Sequence, residues 1–356
     1  MGGNVLTEEL TGRSKYNLKR IWNQVFPALI SIVIAVVIGG LLLVANGRDP
    51  LAAYISLWDG AFGNFSRFTE TLVKTTPFLI LAISVSVSFR CQVWNIGAEG
   101  QFMVGAIAST WAALTFASLP LYLLFPLTFI AGIIGGALWS GIAGVLRAYL
   151  NANEVITSSM LNYIAFYLTA YLVNGPMKDP KGFNFPQSPL IESSLQLPNL
   201  FQGTRLNVGF LVALSLAIVA AIFWRSSLGF RTEIVGASRR VARYAGLNVP
   251  RTIVFVSLLT GGLAGIAGWG EIFGIQYRLI QNIATGWGSL AIVIALLGEL
   301  HPLGMVVSAF LFASMVVGGG AMQRNAGVPF ALVDVIQGVV ILLVLSRSYL
   351  FKRRSS

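Results

Sequence analysis

Residues 121–146 read LYLLFPLTFIAGIIGGALWSGIAGVL, twenty-six positions without a charged side chain. A run of this kind is long enough to cross a hydrocarbon core of about 30 Å as a helix. It lacks the alternation, in segments of roughly 10 residues, that a membrane barrel strand requires. Nine further apolar runs accompany it, at 26–45, 71–89, 101–118, 155–174, 207–224, 252–273, 286–300, 303–320 and 329–346. Of the 356 residues, 56% are hydrophobic and 10% charged, with mean hydropathy +0.77. A soluble globular chain carries about 25% charged residues. So little polar surface cannot cover a folded globule, which excludes a cytosolic enzyme, a secreted disulfide scaffold, a disordered tail and a nucleic-acid binder. The expected fold is all-α: a polytopic helical membrane protein of about ten spans.

The net charge of +11 fits the Lys/Arg bias of cytoplasmic loops rather than an affinity for nucleic acid. With both termini inside, 16 Lys/Arg fall on the cytoplasmic side and 8 outside, which favours that topology. The first run follows Arg13, Lys15, Lys19 and Arg20 and exceeds the h-region of a signal peptide, so it reads as a retained span. The expected organisation is a cytoplasmic tail at 1–25, a transmembrane domain at 26–346 and a basic cytoplasmic tail at 347–356. Outer loops are expected at 46–70 and 175–206, the latter holding five of the 13 prolines.

Cys91 and His301 are the sole residues of their kinds, so no disulfide or Cys/His metal centre is available. His301, beside Pro302, reads as a turn or interface residue. No G-x-x-x-x-G-K-[ST], G-x-S-x-G or H-E-x-x-H occurs. The acidic residues in or at the edges of spans are Glu99, Glu271, Glu299 and Asp334, a small set for an ion-coupled carrier.

Three segments depart from the apolar pattern. Asn95-Ile96-Gly97-Ala98-Glu99-Gly100-Gln101 puts Gly97 and Gly100 beside Glu99 and Gln101. It reads either as a cap, with Glu99 on the following helix, or as a broken helix beside a transport path. The only long polar segment placed in the cytoplasm is 225–251. Within it, residues 237–245 read as one short amphipathic helix, with Ala237, Val241, Tyr244 and Ala245 on one face and Arg239, Arg240 and Arg243 on another. That helix suits a membrane surface or docking to a cytoplasmic partner. Gly286-Trp287-Gly288 through Gly298-Glu299-Leu300-His301-Pro302-Leu303-Gly304 brackets a short span, read as a discontinuous helix or as close packing through small residues.

Taken together, these segments resemble the transmembrane permease of a bacterial ABC importer, in the branched group that carries sugars, branched-chain amino acids and nucleosides. The first resembles that group's N-I-G-x-E-G-Q signature. Ala242-Arg243-Tyr244-Ala245-Gly246-Leu247-Asn248-Val249 resembles its coupling-loop stretch, and Gly286 to Gly304 its late glycine-rich segment. Asp49-Pro50-Leu51 and Gly60-Ala61-Phe62-Gly63 are similar to nucleoside-type permeases paired with basic membrane lipoproteins.

The resemblance implies a pore-forming, non-enzymatic subunit in the bacterial inner membrane. Its implied partners are a cytoplasmic ATPase, a second and different permease chain, an extracytoplasmic substrate-binding lipoprotein and membrane lipid. ATP and Mg would sit on the ATPase, with no cofactor on this chain. Arg239, Arg240, Val241, Arg243 and Tyr244 become the expected ATPase-coupling residues. Trp94, Asn95, Asn162 and Trp287 become the expected substrate path, because amides and aromatic faces suit a nucleoside. A simple sugar is the alternative cargo, and a stand-alone secondary transporter the alternative class.

Overall fold

The computed structural model describes residues 33–284 and 286–352. Thirteen α-helices occur among them: α1 (Val33–Ala45), α2 (Pro50–Phe62), α3 (Phe65–Arg90), α4 (Ala98–Thr115), α5 (Leu121–Leu150), α6 (Glu154–Asn174), α7 (Gly209–Arg225), α8 (Ser227–Ala237), α9 (Arg239–Tyr244), α10 (Val249–Glu271), α11 (Trp287–Leu297), α12 (Pro302–Ala326) and α13 (Phe330–Lys352). A π-helical turn, Ile272–Gln276, prolongs α10.

The described residues divide into two compact units, 61–317 and the remainder, 33–60 with 318–352. In the larger unit α10 is the axis, packed on α5, α4 and α3. The sequence permits this through glycines. A Cβ on Gly136 would collide with the carbonyl of Gly261, one on Gly265 with that of Gly132, and one on Gly268 with that of Phe102. Small residues allow backbones to close on each other where lipid gives no hydrophobic drive for helices to associate. Polar pins fix the register: Ser84 Oγ donates to the Thr260 carbonyl at 2.8 Å, and Trp269 Nε1 to Thr128 Oγ1 at 3.2 Å. In the smaller unit Leu43, Ala53, Met322, Val328, Val333 and Ile336 form a core. There Tyr54 Oη donates to the Val36 carbonyl at 2.6 Å.

Five helices are long and apolar enough to cross a membrane by themselves: α3, α5, α6, α10 with its π turn, and α12. A sixth crossing forms if α7 and α8, bent by 71° at Ser226, count as one. The protein is therefore an all-helical, multi-pass membrane protein. Each expected run from 71 onward coincides with a helix, but α11 has only 11 residues and α7 has 17. The expected run 26–45 is described from Val33 on; the tail 1–25 and residues 353–356 lie outside the described residues.

Three expectations change in detail. The stretch 46–70, expected as a loop, holds α2 and the start of α3. Asp49 Oδ1 accepts the Leu51 N–H at 2.8 Å and Pro50 opens α2, a helix start written in the residues. Residues 347–352, expected as tail, continue α13. The helix expected at 237–245 is broken at Ser238, which ends α8 and caps α9 by accepting the Val241 N–H at 3.3 Å. Periodicity sums across such a break because a cap leaves the spacing of apolar residues intact. The stretch 175–206 is irregular apart from one short 3-10 turn. It is tied by main-chain bonds, Ser188 to Leu279, Ile191 to Tyr277 and Leu197 to Phe273.

Candidate functional site

The Asn95–Gln101 segment is a hydrogen-bonded knot at the start of α4. Asn95 Oδ1 accepts from the Gly97 N–H at 2.8 Å and from Gln101 Nε2 at 3.0 Å. The knot is braced by α6. Ser158 Oγ accepts the Ile96 N–H at 3.0 Å, while Asn162 accepts the Gly100 N–H at 2.8 Å and donates to the Ile96 carbonyl at 2.9 Å. A Cβ on Gly100 would lie 2.8 Å from Asn162 Oδ1, so glycine is required for this approach. Within the knot Gln101 Oε1 is buried with no partner among the described residues.

Glu99 faces away from this brace toward the first turn of α11. Gly286, at φ +80°, donates its N–H to Glu99 Oε1 at 3.1 Å, and the Gly288 N–H is directed at the same carboxylate. The carboxylate therefore stands at two helix N-termini, that of α4 and that of α11, each favouring negative charge. Beside it Trp287 packs edge-on to Phe78 and Phe102, with ring centroids at 5.6 and 5.8 Å. Lys74 Nζ lies 4.7 Å from the centre of the Trp287 ring. Glu99, Lys74 and Trp287 are all half-buried, so the cluster keeps an open side.

The depth of this cluster follows from helix geometry. Phe78 precedes Arg90 by twelve residues on α3, about 18 Å of helix. Trp287, at one end of α11, packs at the level of Phe78, whereas the Leu300 carbonyl just past its other end is bonded to Arg90. Thus α11 covers about half of a 30 Å core, and its N-terminus opens midway along α3.

The structure brings Asn95, Gly97, Gly100, Gln101 and Asn162 into one network and sets Glu99 beside it, turned to Gly286 and Trp287. Trp94 stands apart, 46% exposed, with its ring 4.8 Å from that of Phe89. Reading the sequence missed Lys74 and Ser158. Lys74 is the only charge in the run 71–89, a signal available to inspection. Ser158 carried none.

The second cluster is built by α8 and α9. Val235 and Ala242 are buried with Cys91, Val93, Val249 and Ile253, so both short helices are seated on the ends of α3 and α10. Burial pushes the Cys91 thiol up to about 11, against the opposing pull of Arg239. The buried residue of α9 is Ala242, not the expected face of Val241 and Tyr244, which are 58% and 81% exposed. Arg240 and Arg243 are exposed beside them. An apolar and basic tip is thus presented outward by a firmly seated base. Among the described residues no group of His, Cys, Asp or Glu is arranged to hold a metal ion.

Residues 67–345 match the family described as branched-chain amino acid transport system / permease component. The chain is 37% identical to the glucose ABC transporter permease protein TsgB13 of Haloferax volcanii, over 93% of this chain and 90% of that one. It is 34% identical to the guanosine ABC transporter permease protein NupP of Bacillus subtilis (92% and 95% covered). The nucleoside ABC transporter permease protein NupB of Lactococcus lactis is 32% identical (90% and 90%). The same Bacillus has a second guanosine ABC transporter permease protein, NupQ, 26% identical over 68% of this chain and 78% of its own. The chain belongs to this permease family; it is the membrane component of an ABC importer and not itself an ATPase.

Proposed function

We propose that this family member is the permease of a nucleoside importer, with its cargo passing the cluster of Glu99, Lys74 and Trp287. The observation that carries this reading is the half-length helix α11. Its N-terminus, an indole face and two opposite charges meet midway along α3, where a discontinuous helix of a transporter meets its substrate. A base stacks on Trp287 and ribose hydroxyls bond to Glu99. Asn95 and Asn162 belong to the same path as framing groups, the two amides fixing where the helix ends lie, whereas Trp94, set apart against Phe89, is not part of it.

In this reading the chain crosses the membrane about ten times with both termini in the cytoplasm. The segment 225–251 is then a cytoplasmic coupling loop, and 46–70 and 175–206 face outward to a substrate-binding lipoprotein. A separate ATPase, which carries ATP and Mg, docks on Arg239, Arg240, Val241, Arg243 and Tyr244. A different permease chain completes the pore; that one Bacillus has two proteins named as guanosine ABC transporter permeases, NupP and NupQ, supports this reading. Reversing the charges of Arg239, Arg240 and Arg243 abolishes ATP-driven uptake and leaves the permease pair assembled; unchanged uptake refutes the docking assignment.

A specific observation favours a second cargo, since the glucose permease TsgB13 is as similar to this chain as the nucleoside permeases are. A pyranose would lay its CH face on Trp287 and offer hydroxyls to the same carboxylate. The complex purified through a tag on this chain, reconstituted with ATP, separates the two by competition. Guanosine and uridine are expected to block uptake at concentrations roughly tenfold below glucose. The reverse order assigns the importer to sugars.

A further inference from the structure

Arg90 closes α3 at the end where α8 and α9 are seated, and its guanidinium is shared by three other elements. Nη1 meets Glu233 Oε1 of α8 at 2.7 Å. Nη2 donates to the Leu300 carbonyl, in the turn between α11 and α12, at 2.9 Å. Its Cζ lies over the ring of Trp224, in the last turn of α7, 4.2 Å from the ring centre. Only arginine offers two divergent donors and a stacking face at once; lysine is a point charge without either geometry. The main chain is equally tight, since a Cβ on Gly236 of α8 would collide with the Arg90 carbonyl.

The turn that Arg90 holds is itself constrained. Glu299 and Leu300 are consecutive residues at φ +54° and +55°, a left-handed conformation that costs any residue bearing a Cβ. Leu300 N–H donates to the Ala295 carbonyl at 2.9 Å, and Ser308 Oγ of α12 to that of Ile294 at 2.8 Å. The last turn of α11 is therefore locked to the start of α12. The other end of α11, about 16 Å away, carries Trp287 against Glu99.

We propose that Arg90 is the positioning residue that transmits displacement of α8 to α11, and so to the cluster at Glu99 and Trp287. The inference rests on the reading of 225–251 as the ATPase-docking loop. When the loop moves, Glu233 carries Arg90 with it, and Arg90 carries the Leu300 carbonyl. Because α11 is short and capped at both ends, it moves as one rod rather than absorbing the motion.

The test compares the reconstituted wild-type complex with Arg90→Gln, Arg90→Lys and the exchange Arg90→Glu with Glu233→Arg, scoring uptake per ATP hydrolysed. In Arg90→Gln this ratio is expected to fall roughly tenfold, with ATP hydrolysis in the absence of substrate within about twofold of wild type. Arg90→Lys keeps the charge and the pairing with Glu233, so a loss of about threefold is expected from the bond to Leu300. The exchange restores an ion pair but puts no donor on position 90, so its ratio stays low. A wild-type ratio in Arg90→Lys or in the exchange overturns the inference, whether or not Arg90→Gln assembles. A wild-type complex without an ATPase subunit, or without ATP-dependent uptake, overturns the docking reading instead and takes the inference with it.

Discussion

The seam of α10 with α5 and α4 and the junction of α4 with α11 are both places where helices touch through glycine, yet they are built on opposite terms. Along the seam, Gly132, Gly136, Gly261 and Gly265 bring backbone onto backbone with no side chain between. At the junction Gly286 and Gly288 bring α11 onto Glu99, while Gly97 and Gly100 at the same end of α4 close on α6, and the main-chain N–H groups left over are satisfied by Asn95, Asn162 and Glu99. The seam holds by dispersion over a continuous contact and has one good arrangement. The junction holds by a few hydrogen bonds whose partners water or cargo can replace. Rigidity and adaptability are thus separated within one unit, between α10 and its neighbours on one side and α11 on the other.

Substitutions at the two places sharpen this contrast. The largest effect is expected from Gly265→Val, whose side chain meets the Gly132 carbonyl; a loss of about 3 kcal/mol or more should appear as little folded protein recovered in detergent. Recovery at wild-type level would mean that the seam is looser than its geometry implies. Asn162→Ala leaves the Gly100 N–H and the Ile96 carbonyl without their partner, for a loss of about 2 kcal/mol in thermal stability. Glu99→Gln keeps an acceptor oxygen but removes the charge from two helix N-termini, a stability loss of about 1 kcal/mol. Uptake should fall much further than stability in this variant; parallel losses would make Glu99 a cap and nothing more. Gly270→Ala, on α10 but with open space around its Cβ, should be neutral in both assays. If it were as damaging as Gly265→Val, the seam would not be where the contacts put it.

Much of this was legible in the residues. The apolar runs from 71 onward located helices, and Gly286 and Gly298 flank the short α11. The Asn95–Gln101 segment left a cap or a break open; Glu99 lies in the first turn of α4 and accepts from the Gly286 N–H before α11. What escaped was local in one case and distant in others. The start of α2 was written as Asp49-Pro50, yet the expected loop covered it, because 13 residues with a buried charge-poor face do not make a span. The break at Ser238 escaped because Ser238 sits between residues whose spacing suits a single helix. Lys74 and Arg90 carried signals as lone charges at or within an apolar run, but nothing in their surroundings named Trp287, Glu233 or Leu300 as partners.

Composition and hydropathy determined, by themselves, that the chain lives in a membrane as helices, since desolvating a backbone leaves no other open-ended way to satisfy its polar groups. Motif order determined the family. Only the tertiary structure decided that Glu99 accepts a main-chain N–H 187 residues later, that Asn162 completes the knot at Ile96, and that Arg90 joins three elements. The reason is physical. Hydropathy and capping are sums over neighbours in sequence. A hydrogen bond between distant residues depends instead on how closely the helices between them pack, and here glycine carbonyls in contact set that distance.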